Sequence, residues 1–310
     1  MDPHLAPAVG GQILLDPMLD RVEARVLVQR HGAGIYPRDP EAAKEGGLLV
    51  ARVLDRRRKP PIMRPVSQSL RERILSRRRI VLMRHGDVSY FDAEGLPVHP
   101  DHVPLNTAGR LQAAEARTAL RSLSFDRAIA TGLRRTEETA SIVLEGRSLA
   151  VETLPALREI APGPILDTSD PHFESRFTGA LAAPVRPETT FLGGESFGAL
   201  QERVLPALRN LLLARDWRNL LVVAHGGVNR VILLHALGAG LDSMGRLEQE
   251  PGCVNVIDEI DGGQLLVRLV NHTPEEPLKG GIRATTMEKI FLEHQDAHVA
   301  AAARIQEKRP

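Results

Sequence analysis

In a chain of 310 residues, the group best suited to chemistry is Met83-Arg84-His85-Gly86. An imidazole beside a guanidinium suits phosphorus: the ring nitrogen can attack, the arginine fork can grip phosphate oxygens, and glycine lets the backbone come close. Gln29-Arg30-His31-Gly32 repeats the triplet upstream. The triplet alone is therefore weak, and little around the earlier copy looks like a complete α/β unit. Ala224-His225-Gly226-Gly227 supplies a second imidazole directly after an apolar run. His99, His102 and His172 fall in loop-like stretches with no familiar metal-ligand spacing, so they read as solvated histidines. The single cysteine, Cys253, excludes an internal disulfide and a multi-cysteine zinc site. No metal and no cofactor is expected.

Strands must deliver these histidines. Arg79-Ile-Val-Leu-Met83 is a short run of β-formers that ends at the first candidate, and Leu220-Leu-Val-Val-Ala224 ends at the second. Between and around them the pattern alternates. Thr107 reads as the N-cap of a helix through Leu120, Asp126–Thr131 as a strand, and Leu133–Leu144 as a helix. Val151–Leu154 reads as a short strand, Ser196 opens a helix to about Ala214, and another helix runs from Gly226 to Leu237. Val254–Ile260 and Leu265–Val270 flank Asp261-Gly262-Gly263 as a hairpin. Strand–helix alternation of this kind predicts a three-layer α/β/α sandwich with a largely parallel, mixed central sheet. In such sheets ligands bind beyond the carboxyl ends of the strands, where His85 and His225 both fall.

The whole-chain balance restricts little. Net charge is +1, 43% of residues are hydrophobic and 25% charged, as in ordinary globular proteins. No apolar run approaches the ~18 residues of a membrane span, so no membrane partner is expected. The amino terminus lacks the basic-then-apolar order of a secretory signal, which makes a cytoplasmic setting the expectation. Charge is concentrated between Ala51 and Ile80, with 11 Arg or Lys against 2 acids. That stretch, broken by Pro60, Pro61 and Pro65, reads as a solvated basic arm and linker. Absence of interleaved aromatics argues against nucleic acid as its partner. The chain divides accordingly into an extension over 1–78, a catalytic domain over 79–272 and a helical tail over 273–310. The tail helix, Ala284–Ile305, carries Met287, Ile290, Phe291 and Val299 partly on one stripe and should dock on the domain or on a second copy as a homodimer contact.

Four blocks in order resemble the histidine phosphatase superfamily, the group that includes the cofactor-dependent phosphoglycerate mutases. They are Ile80-Val-Leu-Met-Arg-His-Gly86 with its helix start Pro104–Ala113, then Thr131-Gly-Leu-Arg-Arg-Thr-Glu-Glu-Thr-Ala140, Leu157-Arg-Glu-Ile160, and Val222-Val-Ala-His-Gly-Gly227. Aligned on Leu133, Thr139 and Ala140, the family's arginine falls on Arg135 rather than Arg134. The resemblance implies that His85 attacks phosphorus in line and that Arg84, Arg135 and His225 surround the phosphoryl oxygens. It also implies that Glu159 protonates the leaving alkoxide and then activates water. Gly86, Asp87, Glu195, Ser196 and Gly226 would line the substrate, Ser196 by opening a helix whose N-terminus favours an anion.

The chain departs from the family's pattern in two places. Asp87-Val-Ser-Tyr-Phe-Asp92 replaces the stretch where many members carry a phosphate-binding asparagine, and Ala161-Pro-Gly-Pro164 matches neither the phosphatase nor the mutase signature. No insertion suited to holding a bisphosphate is present. The expectation is a metal-independent phosphomonoesterase for a small phosphorylated metabolite. Its rivals are a phosphomutase of the same fold and a non-catalytic module that binds phosphate or phosphopeptide.

Overall fold

In the computed structural model, the described residues are 66–92, 98–163, 172–182, 184–260 and 263–307. His31 and most of the basic stretch lie outside them. The sheet has six strands: β1 (Arg78–Arg84), β2 (Arg127–Ala130), β3 (Val151–Thr153), β4 (Asn219–Ala224), β5 (Val254–Ile260) and β6 (Gln264–His272). Their order is β3-β2-β4-β1-β5-β6. The first four in that order pair in parallel, while β5 runs antiparallel to β1 and β6 antiparallel to β5.

The central strands are buried on both faces, and their period of two divides the core. Ile80, Leu82, Ile129, Leu220 and Val222 point to one side, where Phe197, Leu200, Val204 and Val231 cover them. Val81, Met83, Ala128, Leu221 and Val223 point to the other, against Ala113, Ala116, Ala140 and Val143. Helices α1 (Val66–Leu75), α2 (Thr107–Ala119), α3 (Arg134–Val143), α4 (Phe173–Thr178), α5 (Phe197–Leu213), α6 (Gly226–Leu237) and α7 (Thr286–Glu307) complete the order. Helices α2 and α3 cover one face of the sheet, and α5 and α6 cover the other. The result is the expected three-layer α/β/α architecture.

Three local readings need correction. Helix α2 is capped by Asn106, whose side chain accepts from Gly109 N, so Thr107 is its first helical residue. Asn and Thr both serve as caps, and sequence alone does not separate adjacent candidates. The stretch read as linker contains α1, and its last arginines belong to the sheet. Arg78 pairs with Glu259 and lies over the Trp217 ring at 4.1 Å, while Arg79 pairs with Asp258 at 2.7 Å. Antiparallel register sets Arg78 opposite Glu259 and Arg79 opposite Asp258. Those charges are neutralised across strands and do not extend a basic arm.

Candidate active site

Parallel pairing of β1 and β4 ends with Arg84 opposite Ala224, and His85 N–H donates to Ala224 O at 3.0 Å. The next residue of each strand is a candidate histidine. The rings of His85 and His225 consequently meet edge to face, with centroids 5.2 Å apart. Both are buried, at 2% and 0% exposure.

His85 Nδ1 lies 2.7 Å from the Gly86 carbonyl oxygen, which can only accept. Nδ1 therefore carries the ring hydrogen and Nε2 keeps its lone pair. Arg135 Nε donates to that Nε2 at 3.3 Å. Burial first, then Arg135 and Arg84, push the His85 pKa well below the ordinary histidine range. The ring is thus neutral, with its lone pair facing a guanidinium. Gly86 is required at the next position because a methyl there would overlap the Gly109 carbonyl, and its N–H donates to Thr139 Oγ1 at 3.1 Å.

Helix α3 settles which arginine turns inward. Arg135, Thr139 and Ala140 share its buried face, and Arg135 Nη1 donates to Pro100 O at 2.5 Å. Arg134 faces outward and pairs with Glu138 one turn on at 2.8 Å. Arg84, only 7% exposed, donates through Nη1 to Gln249 O at 2.5 Å and to Thr286 Oγ1 at 3.1 Å.

A chain of hydroxyls orients His225. Thr136 Oγ1 gives its proton to Leu133 O at 2.7 Å, which leaves it to accept from Thr131 Oγ1 at 3.1 Å. Thr131 in turn accepts from His225 Nε2 at 2.9 Å. His225 Nδ1 and Arg84 Nε are both buried without a partner. Buried polar atoms are rarely left unpaired, and one ligand bearing several acceptor oxygens and a proton could satisfy both. Burial, then Arg135, His85 and Arg84, also hold His225 well below the usual range.

Glu159 sits half-buried at the start of α6, where its two carboxylate oxygens each lie 3.1 Å from Gly227 N–H. That places a carboxylate at a helix N-terminus two residues beyond His225. Gly226 lies beside the Arg84 guanidinium, and a Cβ there would meet Arg230 Nη1 at 3.1 Å. Asp87 faces the cavity that His85 and Arg84 line, and its carboxylate accepts from Asn106 Nδ2 at 3.0 Å.

Glu195 and Ser196 are engaged elsewhere. Glu195 pairs with Arg203 at 2.7 Å and accepts from Ala161 N–H at 3.0 Å, while Ser196 accepts from Ala199 N–H at 3.1 Å as the cap of α5. Arg203 also donates to the carbonyls of Ala156, Arg158 and Glu159, at 2.8, 2.7 and 3.1 Å. Together Glu195 and Arg203 hold the segment that carries Glu159. They support the site from behind and do not line its cavity.

Sequence reasoning missed Thr131 and Thr139 as supports, although both stand inside a quoted block. It also missed Arg203, Gln249 and Thr286, for which no local signal exists. Among the described residues there is no cluster of three or more His, Cys, Asp or Glu able to hold a metal, and no helix long and apolar enough to cross a membrane.

An α/β/α sandwich whose parallel strand ends present two imidazoles and two buried guanidiniums is a fold and site suited to holding a phosphate group. The chain belongs to the histidine phosphatase superfamily (branch 1), whose family model matches residues 80–272. It is 31% identical over 186 residues to an adenosylcobalamin/α-ribazole phosphatase of Salmonella typhimurium, covering 59% of this chain and 92% of the relative. A 2,3-bisphosphoglycerate-dependent phosphoglycerate mutase of Cytophaga hutchinsonii is 28% identical over 162 residues, 50% of this chain and 76% of the mutase. Among solved structures, the α-ribazole phosphatase of Shigella flexneri superposes with a TM-score of 0.53 at 28% identity, covering 62% of this chain and 96% of that one.

Proposed function

We propose that the chain is a metal-independent phosphomonoesterase that turns over a small phosphorylated metabolite through a phosphohistidine at His85. One observation carries the reading: His85 presents an uncharged Nε2 lone pair to Arg135, beside buried, unpartnered atoms of Arg84 and His225. In the first step Nε2 attacks phosphorus, the N–P bond forms and the ester P–O bond breaks. Glu159 gives its proton to the departing alkoxide. In the second step the Glu159 carboxylate takes a proton from water, whose oxygen attacks phosphorus. The N–P bond then breaks, inorganic phosphate leaves and His85 is restored. Arg84 and Arg135 supply charge to the phosphoryl oxygens throughout, the role that dominates phosphoryl transfer, while neutral His225 offers Nδ1 as the acceptor for a phosphoryl hydroxyl.

Similarity to the Salmonella enzyme makes an α-ribazole phosphate the first substrate to try. The test is hydrolysis of p-nitrophenyl phosphate in excess EDTA, with acid-labile phosphate on the protein captured by rapid quench. Turnover and capture should survive EDTA and His31→Ala and disappear with His85→Ala. Turnover that persists in His85→Ala, or needs added metal, overturns the reading. Similarity to the Cytophaga mutase supports a second reading, a phosphomutase. Conversion of 3-phosphoglycerate to 2-phosphoglycerate with a bisphosphate primer, in the absence of phosphate release, would replace the first reading with the second.

A further inference from the structure

The carboxy-terminal helix lies beyond the segment matched by the family model, yet it forms a wall of the cavity that holds Arg84 and His85. Its start is fixed twice. Thr285 and Glu288 exchange hydrogen bonds as a capping box, with Thr285 N–H to Glu288 at 2.6 Å and Glu288 N–H to Thr285 Oγ1 at 3.3 Å. Thr286 then donates to Glu248 at 3.0 Å and accepts from Arg84 at 3.1 Å. One turn later Lys289 pairs with the buried Glu250 at 2.5 Å. Another turn on, Glu293 hydrogen-bonds the backbone of Tyr90 and the side chain of Ser89, so α7 grips the loop that follows His85. Phe291 and His294 pack on Phe173, and His294 also on Phe91, which joins α7 to α4 and to the same loop.

The cavity of about 280 Å³ walled in this way is lined by unlike charges. The Arg84 guanidinium, with its buried unpartnered Nε, is held at the start of α7 by Thr286, and His85 lines the same cavity. Glu293 stands two turns further along α7, about 10 Å by helical rise, and its carboxylate feels the charge of Asp87. Lys289 does not offset those two acids, because its charge is already matched by Glu250. A ligand that fits this field is anionic at one end and at the other offers hydrogens rather than negative charge.

We propose that α7 completes the leaving-group half of the site, and that Glu293 with Asp87 selects phosphomonoesters whose leaving group is uncharged or cationic and rich in hydroxyl or amino hydrogens, against those bearing a carboxylate. The inference rests on the phosphomonoesterase reading of the same pocket. It adds a specificity element from outside the matched segment.

Glycerol 3-phosphate and 3-phosphoglycerate form a near-isosteric pair that differ in a hydroxymethyl against a carboxylate. Each is measured as a competitive inhibitor of p-nitrophenyl phosphate hydrolysis by the full chain, by Glu293→Gln and by Glu293→Lys. The full chain should bind glycerol 3-phosphate about tenfold more tightly, the size of one partly screened like-charge contact. Glu293→Gln should shrink that ratio several-fold by tightening 3-phosphoglycerate, and Glu293→Lys should reverse it. Equal inhibition constants in the full chain, inhibition by neither compound, or a ratio indifferent to both substitutions overturns the inference while leaving the phosphatase reading in place. Loss of p-nitrophenyl phosphate hydrolysis from the native chain itself would instead remove the reading beneath it.

Discussion

Two buried, uncharged imidazoles should make folding stability sensitive to mild acid. His85 and His225 have pKa values well below 6.5, in both cases chiefly through burial and then through Arg135. Unfolded, each returns to about 6.5. Below that pH the unfolded chain binds protons that the native chain refuses, so stability is complete above about 6.5 and falls as pH drops towards the native values. At pH 5.5 an unfolded histidine with a pKa near 6.5 is about 90% protonated, which favours unfolding by about 1.4 kcal/mol per histidine relative to pH 7.5. The pair therefore contributes about 2.7 kcal/mol over that window, a large share of a typical folding free energy. Carboxylates held low by arginine partners, such as Glu195 and Asp258, add little here, because they are ionised in both states until pH nears their unfolded values. Glu293, pushed up mainly by burial, acts with the opposite sign but equally in every variant. Urea unfolding at pH 5.5 and 7.5 should give a difference about 1.4 kcal/mol smaller in His85→Gln or His225→Gln than in the native chain, and about 2.7 smaller in the double variant. An unchanged difference in the double variant would mean that the rings titrate in the native state as they do in the unfolded chain, which would remove the buried, desolvated setting assigned to both. A difference larger than the native chain's would mean that they are charged when folded, and a protonated His85 has no lone pair for phosphorus.

Arg135→Lys should lower kcat for p-nitrophenyl phosphate by about 100-fold or more, since lysine lacks the planar fork, whereas Arg134→Lys on the outer face of α3 should leave it unchanged. Glu159→Gln should cost far more rate with an alkyl phosphate than with p-nitrophenyl phosphate, whose leaving group departs without a proton. Arg203→Met should show the same pattern more weakly, because Arg203 holds the backbone carrying Glu159. Gly86→Ala should destabilise the chain by roughly 1–3 kcal/mol in urea, the usual cost of overpacking, because its methyl meets the Gly109 backbone. The Cys253 thiol, pushed up to about 11 by burial, should react with a thiol reagent at pH 8 only as the chain unfolds.

What was legible in the sequence follows from how far apart the interacting residues stand. β1 and β4 announce themselves as apolar runs, and a histidine directly after a parallel strand must emerge at the ligand-binding end of the sheet. His85 and His225 were accordingly readable from two short stretches, and α3 carried Arg135 inward on a face that Thr139 and Ala140 already marked. The supports were not readable. Arg84 donates a hydrogen bond to Thr286, 202 residues away, and nothing in the periodicity of α7 indicates which surface it covers. Glu195 depends on its partner in the same way. A carboxylate before a helix suggests a ligand contact only while its partner is unknown, and here the partner is Arg203, two turns into that helix. Asp87 sits at the boundary between the two cases. Its place after Gly86 put it near the phosphate end by sequence, but the neighbour that gives it a role is Glu293, brought by α7 from beyond the matched segment. On the proposed reading, the matched core carries the phosphoryl chemistry, while selectivity for the leaving group falls to a helix that local sequence could only describe as amphipathic.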